Sequence, residues 1–323
     1  MRPRLVSALG LLLTLLASVL ITAPSASAAP TVTAFSFPVE GTDVSAFRYS
    51  EPSPTPRPVL VMALGLGSTQ NRILPEVAPE FVAAGYDVVT FDYRYWGSSA
   101  GLPRNLIDID SQLEDWRAAI AAARSLPGVD GNAVALWGTS LSGGHVLSIG
   151  SENIPGVRAI IAQAPHVNGI ATVSTIPVPA LAQLTAVGTA DLAGSAVGAQ
   201  PTYIPLASEP GTLGLLPQPG ALDGYQRVLG ADFDNRATAR TALQIPFYSP
   251  NLVAQAGRAP TFIGTGVADN ITPGFAAREL ANRMGAAGQD YPGGHFDVYP
   301  GGAAYPELIR DEVAFLQQHV PTP

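Results

Sequence analysis

Residues 132–150, NAVALWGTSLSGGHVLSIG, decide how this chain is read. They open on an apolar run, Ala133 to Trp137, that follows a turn signal at Asp130-Gly131 and is short enough for a buried strand. They close on Leu141 to Ile149, small and apolar residues suited to a packed helix. Between the two lies Gly138-Thr-Ser140-Leu-Ser142-Gly-Gly144. A serine raised on a sharp strand-to-helix turn has its hydroxyl exposed above the strand ends, which makes it a candidate nucleophile. Such a turn strains the backbone at Ser140, and its neighbours must be small to clear the strand. Glycine stands two positions before the serine. Two positions after it stands Ser142, a small polar residue backed at once by Gly143 and Gly144.

Working outward, the chain alternates strand and helix. Residues 32–37 and 44–49 read as strands joined at Glu40-Gly41-Thr42, and 51–58 as a proline-rich connector that cannot join a ladder. Residues 59–64 have a central-strand pattern and run into Gly65-Leu66-Gly67-Ser68. A helix is predicted over 73–84 and a buried strand over 86–93. After a turn-rich loop, Ile109, Leu113, Trp116 and Ile120 form one apolar helical stripe, with Asp108 and Asp110 at its anion-favouring N-terminus. A strand follows at 157–164. The pattern resumes with a strand at 259–264, a helix at 273–284 and a closing helix at 305–319. This order implies an α/β fold, a mostly parallel sheet flanked by helices.

From 165 to about 256 the alternation breaks. The stretch is rich in Pro, Gly and Ala, has no basic residue between Arg158 and Arg227, and before Asp223 has only Asp191 and Glu209 as acids. A structureless loop of that length is uncommon in a compact domain. The spacing therefore predicts an inserted cap or lid over approximately 166–256, with an apolar lining of the kind ligand pockets use.

Of the 323 residues, 47% are hydrophobic and none is cysteine, so the fold must hold without disulfides. The net charge of −8 excludes the basic stripe a nucleic-acid partner requires, and every one of the 17 basic residues is arginine. Arg2 and Arg4, an apolar core over 5–21 and Ala26-Ser27-Ala28 read as a signal peptide over 1–28, cleaved on export. The mature chain, 29–323, is then expected to be secreted, with no stable membrane association. Four scattered histidines give no metal-binding spacing. Gly65-Leu-Gly67 lacks the further glycine of a dinucleotide fingerprint, and there is no P-loop, so no cofactor is expected.

An acyl-transfer serine needs a base to take its proton and a carboxylate to orient that base. Asp269 lies in a loop at a strand end, and His295 in the glycine-flanked loop Gly293-Gly294-His295 before the last helix. Asp297 and Asp290 are the competing carboxylates. The order Ser…Asp…His is the one this kind of fold uses.

With these motifs in view, residues 58–321 resemble an α/β-hydrolase, most like bacterial serine hydrolases related to the dienelactone hydrolases and the serine-aminopeptidase-like group. The motifs that carry the likeness are Gly65-Leu66-Gly67, Phe91-Asp92-Tyr93-Arg94 with Gly97, Gly138-Thr-Ser140-Leu-Ser-Gly-Gly-His145, Asp269 to Pro273, and Gly293-Gly294-His295. The resemblance implies Ser140 as nucleophile, His295 as base and Asp269 as orienting acid. It also implies the backbone N–H groups of Leu66 and Leu141 as an oxyanion hole. Leu64 departs from the pattern, standing where many relatives have histidine. Tyr95, Trp96 and His166 follow strand ends and are candidate substrate contacts, with core packing the alternative for the two aromatics. His145 reads as a buried structural residue and His319 as a surface one.

Together these readings predict an exported serine hydrolase that cleaves small to medium, uncharged carboxylic esters through an acyl-enzyme. Three alternatives use the same fold: an aminopeptidase-like peptidase, which would want carboxylates near the pocket, an acyltransferase or thioesterase, and a non-catalytic binding module.

Overall fold

The computed structural model describes residues 29–323, so the predicted signal peptide lies outside the described residues. Strands β1 (Thr31–Val39) and β2 (Thr42–Ser50) form a hairpin. Glu40 and Gly41 both take positive φ, as a two-residue turn matched to strand twist requires. β3 (Arg57–Ala63) starts two residues earlier than its composition suggests. Arg57 and Pro58, expected in the connector, belong to the strand, and its register against the neighbouring strand shifts between Arg57 and Val59, where the proline cannot donate.

α1 (Leu74–Ala83) leads to β4 (Asp87–Phe91), and α2 (Ile109–Arg124) follows. The Asp108 carboxylate caps α2 by accepting from the Ser111 amide at 2.9 Å. β5 (Val129–Thr139), α3 (Leu141–Ser151) and β6 (Val157–Gln163) come next. The segment that returns to the sheet at β9 first makes α4 (Gly169–Val173) and α5 (Val178–Ala196), then β7 (Tyr203–Ile204), α6 (Ala221–Leu229) and β8 (Ala237–Thr238), and ends in short 3-10 turns. β7 and β8 pair only with each other. β9 (Thr261–Gly266), α7 (Gly274–Met284), β10 (Asp290–Tyr291) and α8 (Tyr305–His319) complete the chain.

The main sheet has the order β1-β2-β4-β3-β5-β6-β9-β10, antiparallel at the β1-β2-β4 edge and parallel from β4 onward. Its central strands are buried on both faces, so they read as continuous Val/Ile/Leu runs rather than alternating ones. Trp116 on α2 and Trp137 on β5 are wholly buried in the core on which the sheet rests. Each large apolar side chain so buried contributes roughly 1.5–3 kcal/mol, which is how a cysteine-free chain holds this fold.

Two partly buried ionic clusters fix what the apolar core cannot. Arg94, just past β4, donates to Asp115 of α2 and to Glu40 and Glu114, pinning the β4 loop to α2. Asp191 on α5 accepts from the Thr202 amide and from the Arg240 amide and guanidinium, tying α5 to the segment after β8. Burial works to raise the Asp191 pKa; the Arg240 and Thr202 bonds outweigh it and hold the carboxyl below its ordinary range.

Candidate active site

Ser140 stands between β5 and α3 with φ 57° and ψ −122°, in the left-handed region that a non-glycine residue enters only when its surroundings enforce it. The surroundings are tight. A Cβ on Gly138 would lie 2.2 Å from the Ser142 carbonyl oxygen, and one on Gly65 would lie 2.7 Å from the Ser140 Cβ. Ser142 has a use for its extra oxygen: it is hydrogen-bonded to the Tyr93 hydroxyl, which also accepts from Trp116 Nε1 at 2.8 Å. A glycine there would leave that buried phenol with one partner fewer.

Asp269 and His295 come together from the far half of the sheet, His295 in a cavity it shares with Ser140. Asp269 sits in the turn after β9, where its Oδ1 accepts from the Ile271 and Thr272 amides at 2.9 and 2.8 Å. Its Oδ2 accepts from His295 Nδ1 at 2.7 Å. His295 is delivered by β10, a two-residue strand parallel to β9 that the sequence pattern does not announce. The competing carboxylates are occupied elsewhere: Asp297 accepts from the Gly294 amide, and Asp290 pairs with Arg278. With Nδ1 engaged as a donor, the neutral imidazole has its lone pair on Nε2, and among the described residues nothing bonds that atom. The amides of Leu66 and Leu141 likewise find no acceptor among the described residues, and both residues line the space beside Ser140.

Two cavities meet at Ser140 and Leu66. The larger, about 620 Å³ with its open mouth included, runs under the segment between β6 and β9 and is walled by Ile176, Leu181, Leu184, Leu216 and Ile245 among others. The smaller, about 300 Å³, holds His295 together with Tyr225, Val228, Phe296 and Tyr299. No charged side chain lines either one.

His166 lines the larger cavity. Its Nε2 donates to the Tyr248 carbonyl at 2.8 Å, its Nδ1 faces the Thr172 hydroxyl at 3.0 Å, and its ring stacks on Tyr248. Burial pushes its pKa down to about 4, so it is neutral near pH 7. His145 is wholly buried between Gln112 and the Tyr248 hydroxyl, and burial lowers its pKa to about 3.

Tyr95 and Trp96 line neither cavity, which corrects the expectation that they contact substrate. Trp96 is buried with its Nε1 donating to the Leu106 carbonyl at 2.7 Å, and it borders a separate polar cleft with Arg72, Arg104 and Arg236. Tyr95 has positive φ and packs against Gly101, where any Cβ would strike its ring. The loop after β4 closes on itself, the Tyr95 amide donating to the Ala100 carbonyl and the Asn105 amide to the Tyr95 carbonyl.

One residue near the chemistry was missed in the sequence. The Thr272 hydroxyl lies 3.0 Å from both His295 Nδ1 and Asp269 Oδ2 and 2.9 Å from the Ala164 carbonyl. The Asp269-Asn-Ile-Thr272-Pro turn, in which position four returns to the side chain of position one, was the signal available. Among the described residues no group of histidines and carboxylates is arranged to hold a metal.

Against known proteins, residues 54–206 match the family model described as "Serine aminopeptidase, S33". The quorum-quenching protein AidA of Acinetobacter baumannii is 38% identical over 280 residues, 86% of this chain and 91% of that protein. The chain is an α/β-hydrolase. The thiohydrolase aneE of Aspergillus aculeatus is 32% identical over 142 residues, 43% of this chain and 44% of aneE. Among solved structures, DcsB in complex with its substrate analogue superposes with a TM-score of 0.77 at 20% identity, over 90% of this hydrolase and 99% of DcsB. That last likeness bears on the fold alone. Among the described residues, no helix of the hydrolase is long and apolar enough to cross a membrane.

Proposed function

We propose that this α/β-hydrolase is an exported carboxylic ester hydrolase working through an acyl-enzyme on Ser140. The observation that carries the reading is the Asp269–His295 hydrogen bond, 2.7 Å long, in an imidazole whose other nitrogen is free and whose cavity is shared with the strained serine. Asp269 holds the proton on Nδ1, so Nε2 accepts the Ser140 proton as the hydroxyl attacks the acyl carbon. General base assistance of this kind is worth about 10²–10⁴-fold. The Leu66 and Leu141 amides receive the oxyanion; a preorganised donor of this type contributes about 3–4 kcal/mol to the transition state. His295 then gives its proton to the departing alkoxide, and water, deprotonated by the same imidazole, releases the acid. The segment over 166–256 serves as the cap that keeps bulk water from the acyl-enzyme.

Esters fit better than aminoacyl amides, because among the described residues no carboxylate lines either cavity to pair with a free ammonium. Thioesters share the acyl-enzyme, and the likeness to aneE keeps them as the second reading. The test is one acyl group presented as ester, thioester and amide to wild type and to Ser140→Ala. Turnover of the ester should fall at least about 10³-fold in the variant, with the fold intact by circular dichroism. An alanine variant as active as wild type would dismiss Ser140 as nucleophile.

A further inference from the structure

The two cavities are not equivalent, and the difference assigns the two halves of the substrate. Both contain Ser140 and Leu66, so an ester carbonyl held there projects one arm into each. Only the smaller contains His295. When the tetrahedral intermediate collapses, the bond from the acyl carbon to the leaving oxygen breaks and the imidazolium proton must pass to that oxygen. The leaving oxygen therefore faces the cavity of His295, and the acyl chain, still bonded to Ser140 Oγ, occupies the other.

Resting on the ester reading above, we infer that the substrate is a medium-length apolar acyl ester of a compact alcohol, its acyl chain under α5 and its alcohol beside Tyr225 and Phe296. The wall chemistry sets the class on the acyl side. Ile176, Leu181, Leu184, Leu216 and Ile245 offer no polar atom, and His166 presents a ring whose two nitrogens are already bonded to Tyr248 and Thr172. Of the polar lining, the Thr172 hydroxyl is bonded to His166 and the Thr272 hydroxyl to Ala164 and Asp269, so a charged or hydroxylated tail would lose more water there than it regains in partners. The alcohol side is the smaller space, about 300 against 620 Å³ with the open mouths of both included. Its phenols are spoken for: Tyr225 donates to the Leu66 carbonyl and Tyr299 is bonded to Thr139. Bulk in the alcohol therefore meets aromatic walls, whereas bulk in the acyl group enters space.

Two isomeric esters test this directly. Methyl octanoate and heptyl acetate have the same atoms and the same ester, with the arms exchanged. Their kcat/KM values, followed by acid release, should favour methyl octanoate by at least about tenfold, the scale of a few methylenes gained or lost in an apolar pocket. Leu181→Trp, at a half-buried position on α5, should lower kcat/KM for methyl octanoate about tenfold more than for methyl acetate. Val228→Trp, half-buried on α6, should shift the ratio the other way, slowing phenyl acetate more than methyl octanoate. Equal rates for the two isomers, or a preference for heptyl acetate, would overturn the assignment while leaving the serine hydrolase intact. Hydrolysis of neither isomer, together with no labelling of Ser140 by a fluorophosphonate, would instead overturn the ester reading and this inference with it.

Discussion

Glu312 is the most exposed point of the fold to a change of pH, although it is wholly buried. It lies on α8 beneath β5, where its Oε2 accepts from Trp137 Nε1 at 2.9 Å and its Oε1 has no partner. Burial, helped by the nearby Asp311 and opposed by the Trp137 bond, pushes its pKa from 4.5 up to about 8. The folded protein thus keeps this proton to about pH 8, whereas the unfolded chain releases it near 4.5. A raised carboxyl pKa means the unfolded state binds fewer protons across that window, so this contribution to stability is full below pH 4.5 and is lost as pH rises to 8. At 1.36 kcal/mol per pH unit the whole window is worth about 5 kcal/mol. Between pH 6.5 and 8 it comes to about 1.5 kcal/mol, once partial ionisation of the folded state is allowed for. Asp115, raised to about 6, changes little above pH 6.5, and the two buried histidines, lowered to about 3 and 4, each add about 0.4 kcal/mol over that window as the unfolded imidazoles lose their protons, equally in wild type and variant. Glu312→Gln keeps an acceptor for Trp137 and cannot ionise. Its amide N–H groups lack an acceptor, a penalty of about 1–3 kcal/mol that is the same at every pH. The slope therefore decides, not the absolute stability. Urea unfolding at pH 6.5 and pH 8 should show wild type losing about 1.5 kcal/mol more than the variant. Parallel pH dependences in the two proteins would refute the claim that this carboxyl is folded in its neutral form.

Asp269→Asn should lower kcat for an ester by about 10³–10⁴-fold while the fold survives, since the asparagine oxygen can still accept from the Ile271 and Thr272 amides. Steady-state kinetics beside thermal unfolding check this, and activity within tenfold of wild type would move the orienting role to another carboxylate. Asp191→Ala strips the acceptor from the partly buried Arg240 guanidinium and from the Thr202 amide and should cost about 1–3 kcal/mol, felt first as looser packing of α5. Faster hydrogen exchange and proteolysis over 178–202 would register it, and unchanged protection would count against the anchor. Ser142→Ala should cost about 1–2 kcal/mol through the Tyr93 hydroxyl and leave kcat within a factor of two or so, because Ser142 lines neither cavity.

How much of this was legible beforehand depended on how local the constraint was. The turn at Ser140 is enforced by atoms within a few residues of it, together with Gly65 across the sheet, and small residues at those places are visible as letters. α2 announces itself because its stripe and its Asp108 cap are both written within one helix. β10 has two residues and no period to read, so the strand that delivers His295 is evident only once β9 exists to pair with it. Tyr95 and Trp96 show the opposite failure. A position just after a strand end was the warrant for placing them in the pocket, but the path of the chain there is set by Arg94 gripping α2 and by Trp96 reaching Leu106. Neither partner is marked in the sequence near them.

The histidines show why hydrogen-bond accounting reaches further than position. As letters, His145, His166 and His295 are three apolar-flanked imidazoles near strand ends or the turn at Ser140. In the fold, His145 and His166 each have both ring nitrogens engaged by the protein, and burial keeps both neutral. A ring saturated in this way can wall a cavity or brace a helix, and it has no lone pair left with which to take a proton from a hydroxyl. His295 alone of these three combines an engaged Nδ1, bonded to a carboxylate, with an unengaged Nε2 in the cavity of the strained serine. General base chemistry requires that asymmetry, one nitrogen fixed so that the other is basic and free. Exchanging the roles would require breaking the Tyr248 and Thr172 contacts of His166 and finding it a carboxylate, and among the described residues no carboxylate lines its cavity.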